Sequence, residues 1–456
     1  MNIRRLVEVL AVAVPGLGAA VPAQAQLQIV LPPIPKTPIY APLSSRAASS
    51  SARPRPSFAA PTTSFSGPSP SYAPAPGTMA IPPVQTTASI KATGPRAKFE
   101  PQDGAVYHGA SLPDTWSQDG LRRQIAQYNG AAGKKISVVT WFASAYENGR
   151  MTSWRQSYSA SLERVQRLGA LSLIKFSTQD YAFDSTHKMA DLKAIAAGQW
   201  DDYFTEAAHT VKDFGSPVFI SIDHEMNGTW YPYSQAYPGS KTTAADYVAA
   251  WKRIVSIFHQ SGAGNAAFVW SPNVPDVGGT SYASYYPGDN FVDWVGISFY
   301  SGNSMSAMDD IYRQLAPRKP FFITEWATSP SKSQYNTLFP GDVEWVKQFF
   351  AALETRYPRV KAISWFNWDN GDGDYRLTRV PAQAVAYKQD IAAPRYLSSP
   401  GDKFVHSNAV ETPHLDVVPR EPIFREKPSV APRVQQTRTE RVRVEGVRNE
   451  TVRVSR

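Results

Sequence analysis

Two glutamates close two apolar segments that lie about a hundred residues apart. Val218-Phe219-Ile220-Ser221-Ile222 runs through Asp223 into His224-Glu225, and Phe321-Phe322-Ile323-Thr324 runs into Glu325-Trp326. Short β-branched and aromatic runs of this kind read as strands buried on both faces. A carboxylate at the C-terminal end of such a strand stands where parallel barrels put their catalytic groups. One glutamate there is compatible with a structural ion pair. Two suggest glycosidic-bond cleavage, in which one carboxyl protonates the departing oxygen while the other attacks the anomeric carbon or activates water. Trp230, Tyr231 and Tyr233, just after the first glutamate, supply ring faces on which sugar C–H groups stack. A zinc-protease reading of His224-Glu225 fails, because it needs a second histidine at position 228, which is Gly. Asp369-Asn370-Gly371-Asp372-Gly373-Asp374 lacks the glycine and distal glutamate of a calcium loop and reads as a loop over the cleft. No metal and no cofactor is expected.

Strands and helices alternate around these two segments. Apolar runs predict strands over 105–112, 135–142, 171–176, 217–222, 266–270, 291–300, 319–325 and 361–366. Helical spacing of apolar residues fills the intervals, notably over 159–168, 190–214, 244–260 and 342–355. Eight such repeats within 101–395 predict an α/β fold, a (β/α)8 TIM barrel. Glu225 then ends strand four and Glu325 strand seven, on one face and on opposite sides of the mouth. An open doubly wound sheet usually carries a glycine-rich phosphate turn after its first strand, and none is seen.

Composition divides the chain. All twelve tryptophans lie between Trp116 and Trp368, and residues 101–395 carry 27 basic and 28 acidic side chains, although the whole chain has a net charge of +9. The excess of basic charge belongs to the ends. A near-neutral, tryptophan-rich domain suits an uncharged polymer as partner and carries no nucleic-acid footprint. Residues 1–25 read as a signal peptide: Arg4-Arg5, a mostly apolar stretch from Leu6 to Ala20, and Ala23-Gln24-Ala25 as a cleavage site. Pro15, Gly16 and Gly18 weaken a spanning helix, so stable membrane insertion is not expected. The protein is expected to be secreted, periplasmic or on the cell surface. Residues 26–100 form a Pro/Ser-rich linker with too little apolar surface to order itself. Residues 396–456 form a basic tail that ends in Arg/Val alternation and is expected to be disordered. Contact of the tails with acidic surface polymers is a minor possibility beside a plain spacer role. A monomer is expected. With no cysteine, disulfides and thiolate metal sites are impossible.

Several ordered motifs carry a resemblance. His224-Glu225-Met226-Asn227-Gly228-Thr229-Trp230-Tyr231-Pro232, Trp270-Ser271-Pro272-Asn273, Tyr285-Tyr286-Pro287-Gly288-Asp289 and Ile323-Thr324-Glu325 resemble glycoside hydrolase family 26, a family of β-mannanases with some mixed-linkage β-glucanases and β-1,3-xylanases. The resemblance covers about 101–395. It implies a retaining mechanism with Glu225 as acid/base and Glu325 as nucleophile. It further implies that Tyr300 hydrogen-bonds the nucleophile, that Trp365 is the platform under the reacting sugar, and that Trp230 contacts substrate. His224 is expected to orient Glu225 or touch the sugar. His108, Trp141, Trp270, Asn273 and Tyr286, at predicted strand ends, are expected to line the groove. Ser221 stands where many family members carry arginine, and the sequence after Glu225 looks more like the glucanase branch than the best-known mannanases. The substrate class expected is an uncharged β-linked polysaccharide, either β-1,4-mannan or mixed-linkage β-glucan. Two alternatives remain: a hydrolase that processes the producing cell's own exopolysaccharide, and a non-catalytic carbohydrate-binding barrel. The second is disfavoured by the presence of both carboxylates.

Overall fold

The computed structural model describes residues 87–180, 189–328, 343–370 and 373–401. Eight parallel strands close on themselves: β1 (Val106–Ser111), β2 (Val138–Glu147), β3 (Leu171–Asp180), β4 (Val218–Ile222), β5 (Ala266–Trp270), β6 (Trp294–Tyr300), β7 (Phe321–Ala327) and β8 (Val360–Phe366). Each pairs with the next, and β1 pairs with both β2 and β8. This is the expected (β/α)8 barrel. Helices return most strands. That over Ala244–Gln260 shows why: Thr243 and Asp246 form a reciprocal capping box at its start, while Tyr247, Trp251, Ile254, Val255 and Phe258 bury one stripe.

Two separate apolar layers hold the barrel. Residues facing the helices form one continuous layer. Inside the barrel, Tyr107, Val138, Leu171, Leu173, Phe219, Ala267, Val269, Trp294, Phe322 and Ala362 form a second, joined by Phe99. Side chains alternate along a strand, so these residues fix which parity of each strand points inward.

The structure shifts several expected boundaries. Residues 87–100, assigned by composition to the linker, pack on the barrel: Lys98 Nζ donates to the Ala266 carbonyl at 3.0 Å, Trp294 Nε1 donates to the Lys98 carbonyl at 2.7 Å, and Glu100 pairs with Arg359. Both members of that pair are buried. At the other end Tyr396–Leu397 pairs in parallel with β1, so the fold runs past 395. The stretch 190–214 is two helices, Leu192–Ala196 and Asp201–Phe214, separated at Gly198, whose φ of 84° no helix accepts. Between β5 and β6 only 3-10 turns occur, over Tyr282–Tyr285 and Asp289–Phe291, so the sixth strand starts at Trp294 rather than 291. Residues 1–86, 181–188, 329–342, 371–372 and 402–456 lie outside the described residues, and with them the signal peptide, most of the linker, nearly all of the tail and the middle of the 369–374 loop. Among the described residues no helix is long and apolar enough to cross a membrane.

Candidate active site

Halfway up the barrel the inward positions change from apolar to polar. Two residues beyond Val138, Phe219, Val269 and Ala362 stand Thr140, Ser221, Ser271 and Ser364. Thr140 and Ser364 hydroxyls lie 2.7 Å apart, and Ser221 donates to Ser271 at 3.0 Å. Two residues beyond Leu173 stands Lys175, fully buried. Its Nζ donates to Glu325 Oε1 at 2.6 Å. On Oε2, the same carboxylate accepts the Tyr300 hydroxyl at 2.7 Å. A bulge brings Glu325 inward: three residues of β7, from Ile323 to Trp326, match two of β8. Phe322 and Glu325 therefore share the inner side despite odd spacing, while Trp326 stacks on Phe349 of the helix layer at 3.7 Å.

The turn after β4 is strained and tightly pinned. Asp223 and Glu225 take left-handed φ values of 45° and 56°, a conformation that non-glycine residues hold only when their surroundings enforce it. Here the Asp223 carboxylate accepts the Thr178 backbone N–H at 2.7 Å and its hydroxyl at 2.9 Å. The Glu225 N–H donates to the Ser271 carbonyl at 2.7 Å, and Tyr233 OH donates to the His224 carbonyl at 2.7 Å. Trp230 folds back over Gly228, where a Cβ would meet the indole at 2.5 Å, and donates Nε1–H to Glu225 Oε2 at 2.7 Å. Glycine at 228 is thus required by the indole.

The environment separates the two carboxylates. Burial, then the charge of Glu325, raises the Glu225 pKa to about 7, with Lys175 and the Trp230 hydrogen bond opposing. Glu325 is held between a cation and a hydroxyl donor. His224 Nε2 lies 3.1 Å from Tyr231 OH and 4.0 Å from Glu325 Oε1. Burial and Lys175 hold its pKa well below the usual imidazole value, so it is neutral. One carboxyl with a raised pKa beside one held by a lysine and a hydroxyl donor is the pairing acid-assisted displacement requires.

Five sequence-predicted residues meet here: His224, Glu225, Trp230, Tyr300 and Glu325. Four others do not. His108, Trp141, Trp270 and Trp365 are of the outward parity and fully buried among helices. His108 packs between Tyr128 and Tyr387, Trp141 donates to Ser172 at 3.1 Å, and Trp270 packs on Tyr286 at 5.0 Å. Trp365, expected as the sugar platform, donates to the Tyr375 carbonyl and packs on Trp326 and Tyr387. Asn273 holds the loop after Glu225, its N–H on Asn227 Oδ1 at 2.8 Å. Tyr286, half-buried, bonds Asp289 at 2.6 Å and lines a shallow side pocket with Tyr282 and Arg318. Arg376 pairs with both Asp369 and Asp374.

The inward parity supplies residues that sequence reasoning missed. Lys175 is a charge inside an otherwise apolar strand, a signal present in the sequence. Around the mouth, Phe142 contacts His224, Phe366 and Trp368 at 5.8, 6.4 and 5.4 Å, and Phe366 stacks on Trp368. Trp368 is half-buried, so part of its ring is open to a ligand. It sits three residues beyond Trp365, where the strand has ended and parity no longer predicts direction.

Residues 173–369 match the glycosyl hydrolase family 26 model. Over 282 residues, 59% of this chain, the protein is 29% identical to endoglucanase H of Acetivibrio thermocellus, and the match spans 29% of that protein. Over 174 residues, 37% of this chain, it is 29% identical to the mannan endo-1,4-beta-mannosidase A and B of Caldalkalibacillus mannanilyticus, spanning 32% of it. The chain thus covers about a third of the length of these relatives. A modular endo-beta-1,4-mannanase from Cellulomonas fimi shares the fold, with a TM-score of 0.51 at 16% identity over 68% of this chain and 76% of that one.

Proposed function

From the match of residues 173–369 to the glycosyl hydrolase family 26 model, we propose that the protein is a retaining endo-β-glycanase acting on an uncharged β-linked polysaccharide. The observation that carries the reading is the pair itself: Glu225, its pKa raised to about 7, and Glu325, clamped by Lys175 and Tyr300, on one rim of the barrel. In the first step a Glu325 oxygen bonds to the anomeric carbon as the glycosidic C–O bond breaks, and Glu225 gives its proton to the leaving oxygen. In the second, water attacks the same carbon and loses a proton to Glu225, and Glu325 departs as carboxylate.

The substrate proposed is β-1,4-mannan or mixed-linkage β-glucan. Similarity to a mannosidase and to an endoglucanase supports both, and the near-neutral domain suits an uncharged chain. Reducing-end release from a panel of mannans, β-glucans, xylans and the producer's own polysaccharide tests this. Release from none of them, or undiminished release by Glu325→Ala, would overturn it. Export is part of the proposal, supported by Arg4-Arg5 and the Ala23-Gln24-Ala25 pattern. N-terminal sequencing of protein recovered outside the cell tests it.

A further inference from the structure

We propose that Lys175 is a positioning residue for the second half of the reaction: its buried charge drives Glu325 off the glycosyl intermediate. This rests on the function proposed above. Lys175 projects from β3 into the polar layer of the barrel, opposite Ser221, its Cα partner on β4. The Ser221 side chain is too short to reach the carboxylates and turns to Ser271 instead. That leaves Lys175 as the cation beside Glu325, at 2.6 Å, with both side chains almost fully shielded from water. The other groups that face Glu325 are Tyr300 from β6 and, after β4, the neutral His224 and the acid Glu225.

A buried ion pair is stable only while both charges persist; removing one leaves the other uncompensated in a low-dielectric site. Retaining hydrolysis does this within each turnover. When a Glu325 oxygen bonds to the anomeric carbon, its negative charge is consumed and Lys175 faces a neutral ester. When water displaces that oxygen and Glu225 takes the water's proton, the carboxylate returns and the pair is restored. The lysine therefore disfavours the intermediate relative to the free carboxylate. It slows formation of the ester and speeds its breakdown, and an activated leaving group tolerates the first effect.

The test uses an activated dinitrophenyl β-glycoside of whichever sugar the panel identifies, with the full-length protein and its Lys175→Met and Lys175→Gln variants. Expected are a pre-steady-state burst of one phenolate per active site in the variants and a steady-state kcat lower by about 100-fold, on the scale of losing one preorganised electrostatic contact. Mass spectrometry should find the glycosylated protein accumulating. No turnover by the parent protein would instead sink the proposed function. A parent that turns over, with variants that show no burst and accumulate no glycosylated protein, overturns the lysine's role. If both single variants fail to fold, Lys175→Met with Glu325→Gln decides. This neutral pair should fold, and its failure to do so would overturn the proposal by making the lysine a support of the barrel itself.

Discussion

Glu225 and Glu325 differ in what surrounds them, and their substitutions should differ accordingly. Glu325→Ala should abolish turnover, since no covalent intermediate forms. Glu225→Ala should still be glycosylated by an activated aryl glycoside, which needs little protonation, and then stall; added azide should restore turnover and yield a β-glycosyl azide. An α-azide would exchange the two roles. The proton on Glu225 also predicts a basic limb in kcat/KM near pH 7, from the raised pKa. The Trp230 N–H stabilises the charged carboxylate, so Trp230→Phe should move that limb upward by about one pH unit. Asp223, likewise raised to about 7 by burial, holds its proton more tightly in the fold than in the unfolded chain. Its contribution to stability is complete below about pH 4 and is lost as pH rises through 7. Asp223→Asn removes that loss and tolerates a left-handed φ. Melting curves from pH 4.5 to 8 should show the variant gaining on the parent as pH rises; a constant gap would refute the assignment. Asp223→Ala, which loses both bonds from Thr178 and strains the turn, should cost about 2–4 kcal/mol.

At the scale of elements, strand parity decides which aromatic residues can reach the mouth of the barrel. β8 directs Ser364 and Phe366 inward and Trp365 outward onto Trp326 and Tyr387. Trp365→Ala should therefore lose about 3–5 kcal/mol of stability with KM unchanged for the folded fraction. Trp368→Ala, at the open mouth, should raise KM and leave the melting temperature almost unchanged. The opposite pattern would return the platform to Trp365. The bulge in β7 acts at the same scale. Without the extra residue between Ile323 and Trp326, either Glu325 would turn toward the helices or Trp326 toward the lumen.

For the whole molecule, the floor of the barrel is closed by a segment that composition assigns to the linker. A chain cut to residues 87–401 should melt like the full-length protein. One cut to 101–395 removes Glu100, leaves Arg359 buried without its counter-charge, and strips Tyr396–Leu397 from β1. Loss of a buried pair member alone costs about 3–5 kcal/mol, so this shorter chain should melt well below the longer one. Equal melting temperatures would show that the floor segment contributes nothing. The basic ends act at this scale too. If they hold the protein on acidic polymers, full-length protein should bind such a resin and release with salt, and the 87–401 chain should not.

Local chemistry made the barrel and its carboxylates legible before any coordinates. Each β-strand is a short apolar run and each cap a local hydrogen bond, and Glu225 and Glu325 are marked by polar residues abruptly ending such runs. Direction could not be read the same way. Position at predicted strand ends points His108, Trp141 and Trp270 to the groove, and family resemblance points Trp365 there, yet inward or outward depends on register, and one bulge reverses it. The relevant clue, the lumen-filling set from Tyr107 to Ala362, exists only once eight strands close. Lys175 shows the same division. Its presence in an apolar strand is a sequence fact, but its partner is 150 residues away, and only closure of the barrel brings the cation to Glu325.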